Sequence, residues 1–149
     1  MFLVAGRVEA SSSAALRDLT AKRTVTRADC LQAAAAIVAG AKAPTEPRAV
    51  VKLLRAHKVV EDDEDDEPEH TATRGYACLL FARALGETGG TMRHLFPSSE
   101  HYAYRHLEFL GLIPSGGSGR PVTGLELVSL VGLSRKRQAA LAKDREEAR

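Results

Sequence analysis

A two-helix unit at residues 96–133 is the feature that most constrains the fold of this chain. Ser98 or Ser99 can accept hydrogen bonds from the free backbone N–H groups that open a helix, and apolar residues then recur every three to four positions. Gly111 is suited to follow the last turn, because glycine adopts the left-handed conformation at little cost. We therefore expect a short helix over residues 100–110.

A glycine-rich loop leads from this short helix to a longer one. Residues 115–119 are all Gly or Ser, and Pro121 favours an extended entry to the next element. Thr123, with Glu126 three residues later, has the pattern of a capping box in front of an apolar run. The pattern predicts that the second helix begins at about Gly124.

The same kind of helix start occurs three times. The segments 24–31, 71–78 and 120–127 align with a Thr at the cap position, at spacings of 47 and then 50 residues. Shorter helix candidates at 46–57 and 100–110 lie between them. Since the alternation of Val, Ile and Thr that is typical of strands is nearly absent, the sequence predicts an all-α fold of repeated helix-loop-helix units with little or no sheet.

Composition agrees with a helical domain. The chain has 149 residues, 44% of them hydrophobic but only 5% aromatic, which is typical of a single domain packed with Ala and Leu. We divide it into an N-terminal segment at 1–20, a helical domain at 21–133 and a charged helical tail at 134–149.

These motifs together resemble the surface-layer homology (SLH) repeat. That family has a Phe-x-Asp-Val start, a Trp-Ala pair in a first helix, a Gly-Ile turn and a Thr-Arg-Ala-Glu opening of a second helix. Residues 94–133 form the best copy, 46–86 a degenerate copy and 24–40 the second half of one, about two and a half repeats. Tyr102 stands where the family has Trp, and Gly124 replaces the third arginine.

The resemblance implies a role for the helix starts. SLH domains usually anchor proteins to cell-wall polymers, and the arginines and glutamates of the helix starts line grooves between repeats. Carried onto this chain, with an aromatic plane and nearby cations added, the predicted ligand-binding residues are Arg27, Asp29, Arg74, Tyr102, Arg105, Arg120, Thr123 and Glu126. The Thr, Arg and Glu residues also fit a plainer role as helix caps and solvated first-turn residues.

The implied function is that of a non-enzymatic module that binds or assembles at the cell envelope, in the periplasm or on the cell surface. Its partner would be a cell-wall polymer or an envelope protein. The half repeats at the two ends could close against each other, or a second copy of the chain could complete them in a homo-oligomer. We expect no catalytic residue, cofactor or metal, since the five histidines lack the spacing of a metal motif.

A cytoplasmic DNA-binding protein is the alternative. Residues 101–127 also resemble a winged helix, in which His101, Tyr104 and Arg105 would face the major groove and Arg120 would lie on the wing. The basic run at 135–137 would then contact phosphates. Such a wing needs two strands, for which residues 114–122 offer little support.

An acidic run divides the charge unevenly. Residues 61–69 hold 8 of the 19 acidic side chains, which leaves 21 basic against 11 acidic elsewhere, or about +10. Repulsion between like charges predicts a solvated, disordered loop over 61–70. A calcium loop or a contact with a basic partner are the other interpretations.

The chain start and the cysteines leave alternatives open. Residues 3–6 resemble the end of a bacterial lipoprotein signal, although Arg7 stands where the lipidated Cys would be, so the segment is the remnant of a leader or packs on the core. Cys30 and Cys78 could form a disulfide in an exported protein or remain buried free thiols. No stretch approaches the roughly 20 apolar residues of a membrane span.

Overall fold

A computed structural model describes residues 17–62, 67–87 and 96–149. Its α-helices are Arg27–Ala39 (α1), Pro47–Ala56 (α2), Arg74–Leu85 (α3), Glu100–Phe109 (α4) and Gly124–Glu147 (α5), with a 3-10 helix at Gly40–Lys42. Residues 17–21 are also helical. No strand forms within the described ranges, where extended segments meet only in two isolated bridges. The predicted all-α class and the order long, short, long, short, long are confirmed.

Threonine caps open the three long helices. The hydroxyls of Thr26, Thr73 and Thr123 accept from the backbone N–H three residues later in α1, α3 and α5. Asp29 and Glu126 complete capping boxes by accepting from the N–H of the capping threonine. The helix starts predicted from the sequence are therefore confirmed.

One ring of backbone hydrogen bonds joins these three starts. The residue before each capping threonine donates to the next start: Val25 N–H to the Val122 carbonyl (3.2 Å), Val122 N–H to the Ala72 carbonyl (3.0 Å), and Ala72 N–H to the Val25 carbonyl (2.9 Å). All three side chains are buried. Because the ring closes between the first and the third helix start, these two segments meet within one chain.

Further hydrogen bonds use the free N–H groups of the first turns. Arg27 N–H donates to the His70 carbonyl (2.9 Å), and Arg74 N–H donates to the Arg120 carbonyl (2.8 Å). At the third start, Gly124 N–H donates to the carbonyl of Lys22 (3.0 Å). Each long helix is therefore capped partly by a loop that lies far away in sequence.

Close approach explains the glycine at the third start. A Cβ atom on Gly124 would overlap the carbonyl oxygen of Leu19, because residues 17–22 pass directly over the start of α5. Leu19 itself is packed against the core. No side chain fits at position 124, which accounts for the missing third arginine.

The short helices α2 and α4 are equivalent residue by residue at an offset of 53. Glu46 and Ser99 are their N-caps. Lys58 (φ 57°) and Gly111 (φ 74°) both take the left-handed conformation after the last turn. The next N–H then donates back into the helix in both, from Val59 to the Leu54 carbonyl (2.8 Å) and from Leu112 to the Leu107 carbonyl (2.9 Å).

The core lies where α1 and α3 pack against each other and against α2, α4 and α5. Small residues allow this close packing, since α1 buries three consecutive alanines at 33–35 and α3 buries Ala77 and Ala82. The largest fully buried side chains are Phe81, Leu54, Leu80, Leu107, Leu127 and Leu130. Helix α5 crosses the predicted boundary between residues 133 and 134 without interruption.

The described parts of the acidic run make contacts, which differs from the predicted disordered loop over 61–70. Glu61 accepts hydrogen bonds from Arg83 and Ser98, each at 3.2 Å. The carbonyls of Pro68 and His70 accept from the first turn of α1. Residues 63–66 lie outside the described residues, as do residues 1–16 and with them the leader-like residues 3–6.

Two further expectations concern the pairing of the cysteines and a membrane-spanning helix. Cys30 and Cys78 are both buried free thiols. Burial raises the pKa of Cys30 to about 12, and it also raises the pKa of Cys78. None of the described helices combines the length and the apolar character needed to cross a membrane.

Candidate functional site

Arg74 links the second helix start to the third. Its Nε donates to Glu126 Oε2 (3.2 Å), a second guanidinium nitrogen pairs with Glu126 Oε1, and the remaining one donates to the Ser115 carbonyl (3.3 Å). The side chains of Arg74 and Glu126 are only 9% and 19% exposed. All three guanidinium nitrogens of Arg74 are thus engaged within the protein.

The pKa values of this pair follow from that geometry. The hydrogen bond that Arg74 donates to the Glu126 carboxylate is the largest cause of the raised pKa of Arg74. Burial acts to raise the pKa of Glu126, but the hydrogen bonds from Arg74 and from the Thr123 N–H, with the charges of Arg74 and Arg120, outweigh it and lower the pKa. Both groups therefore stay charged at neutral pH.

The side-chain contacts that join the other pairs of helix starts differ from the Arg74–Glu126 pair. The guanidinium of Arg27 lies over the ring of Tyr76, 4.7 Å from its centroid, and its buried Nε has no hydrogen-bond partner among the described residues. Tyr76 occupies in α3 the position that Glu126 occupies in α5. Between the third helix start and the first, Gly124 has no side chain that could reach Asp29. Lys22 pairs with Asp29 there instead (3.0 Å).

The other predicted site residues fall into two groups. Arg120 is exposed and lies beside the Arg74–Glu126 pair, where its charge helps to lower the pKa of Glu126. Tyr102 and Arg105 lie instead on the outer side of α4. Tyr102 stacks on Phe96 with ring centroids 5.4 Å apart, and Arg105 pairs with Glu108 (3.3 Å).

A groove between α1 and α2 is the open site next to the first helix start. Its volume is about 630 Å³, and it is lined by Ala28, Asp29, Leu31, Gln32, Pro47, Arg48, Val50, Val51, Lys52, Arg55 and Pro68. Of the ligand-binding residues predicted from the sequence, Asp29 alone lies in this lining. The spacing of Arg48, Lys52 and Arg55 along α2 is the signal that could have identified it, because i, i+4 and i+7 share one helix face.

At the equivalent position between α3 and α4 stands a buried tyrosine. Tyr104, the counterpart of Val51, is 2% exposed, and its hydroxyl donates to the Pro114 carbonyl (3.0 Å) and accepts from the Gly117 N–H (3.0 Å). A Cβ atom on Gly75 would lie only 3.0 Å from the Cβ of Glu100, so glycine permits a close approach there. Position 28, the counterpart of Gly75, carries an alanine that needs more room.

A cluster at the end of α3 ties the last two helices to it. Glu87 Oε1 accepts from Arg137 Nε (2.7 Å), and Glu87 Oε2 lies 3.3 Å from His106 Nε2. Burial acts to raise the pKa of Glu87, but hydrogen bonds and charges from Arg137 and His106 lower it. This cluster fastens α4 and α5 to the core.

Two elements of the winged-helix alternative are not formed. Tyr104, which would face the major groove, is buried, and residues 110–123 form a loop without a strand. Within the described ranges there is also no cluster of three or more His, Cys, Asp or Glu side chains arranged to hold a metal ion.

Comparison with known proteins finds no matching family model, no matching curated protein and no matching solved structure.

Proposed function

We propose that this chain is a non-enzymatic binding or assembly module of the cell envelope, which binds a cell-wall polymer or a protein partner through a groove between its helical units. The observation that supports this most directly is the open α1–α2 groove beside the start of α1. Such a groove is where the resemblance to SLH repeats expects a ligand. At the equivalent position of α4, next to α3, stands the buried Tyr104.

The chemistry of the groove favours an anionic ligand. Arg48, Lys52 and Arg55 stand along one edge, and apolar side chains form much of the floor. The cations would attract a negatively charged partner and set its orientation, while burial of apolar groups would supply affinity.

Co-sedimentation with isolated cell envelopes tests the proposal. We expect the purified protein to pellet with envelope material, and the double variant Arg48→Glu, Lys52→Glu to remain in the supernatant. The matched control is Arg135→Glu, Lys136→Glu, which changes the same charge at exposed positions of α5 and should pellet like the wild type.

Fractionation of cells that carry the natural reading frame gives the second readout. Recovery with the envelope would agree with the proposal, whereas an unprocessed cytosolic protein with no affinity for envelopes would contradict it. Binding to duplex DNA that is lost in the Arg135→Glu, Lys136→Glu variant would favour the DNA-binding alternative.

A further inference from the structure

We infer that the α1–α2 groove receives an aromatic side chain from an acidic peptide segment of a protein partner. The inference rests on the proposed function and narrows it, because it chooses a protein partner over a cell-wall polymer. It depends on the difference between this groove and its counterpart between α3 and α4.

The equivalent position in α4 indicates which kind of side chain would fit the α1–α2 groove. Since α2 and α4 match at every landmark from N-cap to last turn, position 51 in α2 corresponds to position 104 in α4. Tyr104 is buried, with 2% of its surface exposed, whereas the smaller Val51 lines a groove of about 630 Å³. A tyrosine or phenylalanine from outside would fill the place that this chain fills from within at the second site.

The charges around the groove select the residues beside that aromatic group. Arg48 and Lys52 are exposed and lie one turn apart on the edge formed by α2. Asp29, the acidic side chain among the described lining residues, is already paired, since it accepts from Lys22 (3.0 Å) and from the Thr26 N–H (3.0 Å). Glu67 and Glu69 flank Pro68 on the wall next to α1, whereas the edge formed by α2 is positive. Asp or Glu residues next to the aromatic side chain would complement this α2 edge.

A sugar polymer fits the same walls less well. Sugar hydroxyl groups that enter a groove lose water and need hydrogen-bond partners in return. Apart from the cations, the polar lining side chains are Asp29, which is engaged as described, and Gln32, which donates to the Pro44 carbonyl (2.8 Å). None of the lining residues within the described part of the chain carries an aromatic ring on which a sugar could stack. An aromatic side chain with acidic neighbours needs neither hydrogen-bond partners for hydroxyl groups nor an aromatic surface to stack on.

Fluorescence anisotropy with a synthetic peptide tests the inference. The probe is a labelled ten-residue peptide with one central Tyr flanked by Leu and Glu. Its controls replace the Tyr by Ala, or every Glu by Lys. We expect saturable binding of the probe to the full chain, and a loss of at least about tenfold in affinity with either control peptide, as for an anchor residue in a pocket.

The variant Val51→Tyr tests whether the probe binds in the α1–α2 groove. The added side chain should fill the groove and weaken binding of the probe by at least about tenfold. The matched control is Ala49→Tyr, which adds the same side chain on the same helix where the counterpart residue is already Tyr102. Thermal unfolding shows whether each variant is folded. Should Val51→Tyr fail to fold, Lys52→Glu replaces it, with the same expected loss.

Equal binding of the probe by wild type and folded Val51→Tyr would overturn the inference, and so would equal binding of the Tyr-free peptide. If the probe does not bind but envelope material does, and Val51→Tyr abolishes that binding, the proposed function stands and a polymer occupies the groove. If neither binds, the proposed function falls as well.

Discussion

Removal of the Arg74 guanidinium should destabilise the protein strongly, because it leaves the Glu126 carboxylate partly buried without its partner. The substitution Arg74→Met keeps most of the side-chain volume and removes the charge. Breaking a buried ion pair from one side costs about 3–5 kcal/mol. Since the two side chains are 9% and 19% exposed, we expect the lower end, about 3 kcal/mol. For a domain of this size that lowers the melting temperature by about 6–12 °C.

Urea unfolding followed by circular dichroism measures this loss of stability. The ion pair between Lys22 and Asp29 provides the control. Lys22→Met removes the cation from the equivalent link, where the lysine side chain is 45% exposed. An exposed pair is worth at most about 1 kcal/mol. The double variant Arg74→Met, Glu126→Gln should recover part of the loss, since no charge is then left unpaired. If Arg74→Met costs no more than Lys22→Met, the reasoning about burial is wrong.

The pH dependence of the same variant adds an independent check. The pKa of Glu126 in the folded protein lies below its ordinary value of 4.5. The stability from this carboxylate is therefore fully present above its unfolded pKa and is lost as the pH falls through the folded pKa. In Arg74→Met the unpaired, partly buried carboxylate has a higher pKa than in the wild type, because burial is no longer offset by Arg74. The difference in unfolding free energy between the two proteins should therefore shrink as the pH falls from the Glu126 pKa of the folded variant through that of the wild type. A difference that grows in acid would contradict the assignment.

The other helix starts and the buried thiols lead to three more expectations. Tyr76→Ala should destabilise the protein by about 1–3 kcal/mol in urea unfolding, because it removes a ring that packs on the core and lies under the guanidinium of Arg27; an unchanged free energy of unfolding would contradict this. Gly124→Ala should lower the melting temperature sharply through its overlap with backbone, whereas Gly132→Ala, with open space around it in the same helix, should raise stability by about 0.5–1 kcal/mol. Both cysteine thiols should resist a thiol reagent at pH 8 in the native protein and react on unfolding; rapid native reaction would show that they are accessible.

Local signals made the helix starts predictable from the sequence. A threonine followed three residues later by an acidic residue carries its own hydrogen-bond partners, so Thr26 and Thr123 could be assigned as caps without knowledge of the fold. The ring could not be predicted in this way. It joins Val25, Ala72 and Val122 through their backbones, and apolar side chains give no sign of which distant carbonyl a given N–H will meet.

The candidate site was only partly predictable for a similar reason. The resemblance predicts Arg74 and Glu126 as ligand-binding residues, yet whether an arginine faces a ligand or a glutamate of the same chain depends on tertiary contacts. The groove depends on a difference between Val51 and Tyr104. An alignment of the two short helices on their apolar pairs would have exposed that difference. The assignment to SLH repeats stays a prediction.

The closed ring has a consequence for the order in which this protein can be made. The Val25 N–H donates to the carbonyl of Val122, which lies 97 positions later in the chain and is therefore synthesised later. At a synthesis rate of about 5–20 residues per second, that interval lasts roughly 5–20 s. During this time the Val25 N–H lacks its carbonyl partner and the apolar surface around it is incomplete, so that chaperones or neighbouring nascent chains can bind there. Slower translation should prolong this exposed state, and faster translation should shorten it.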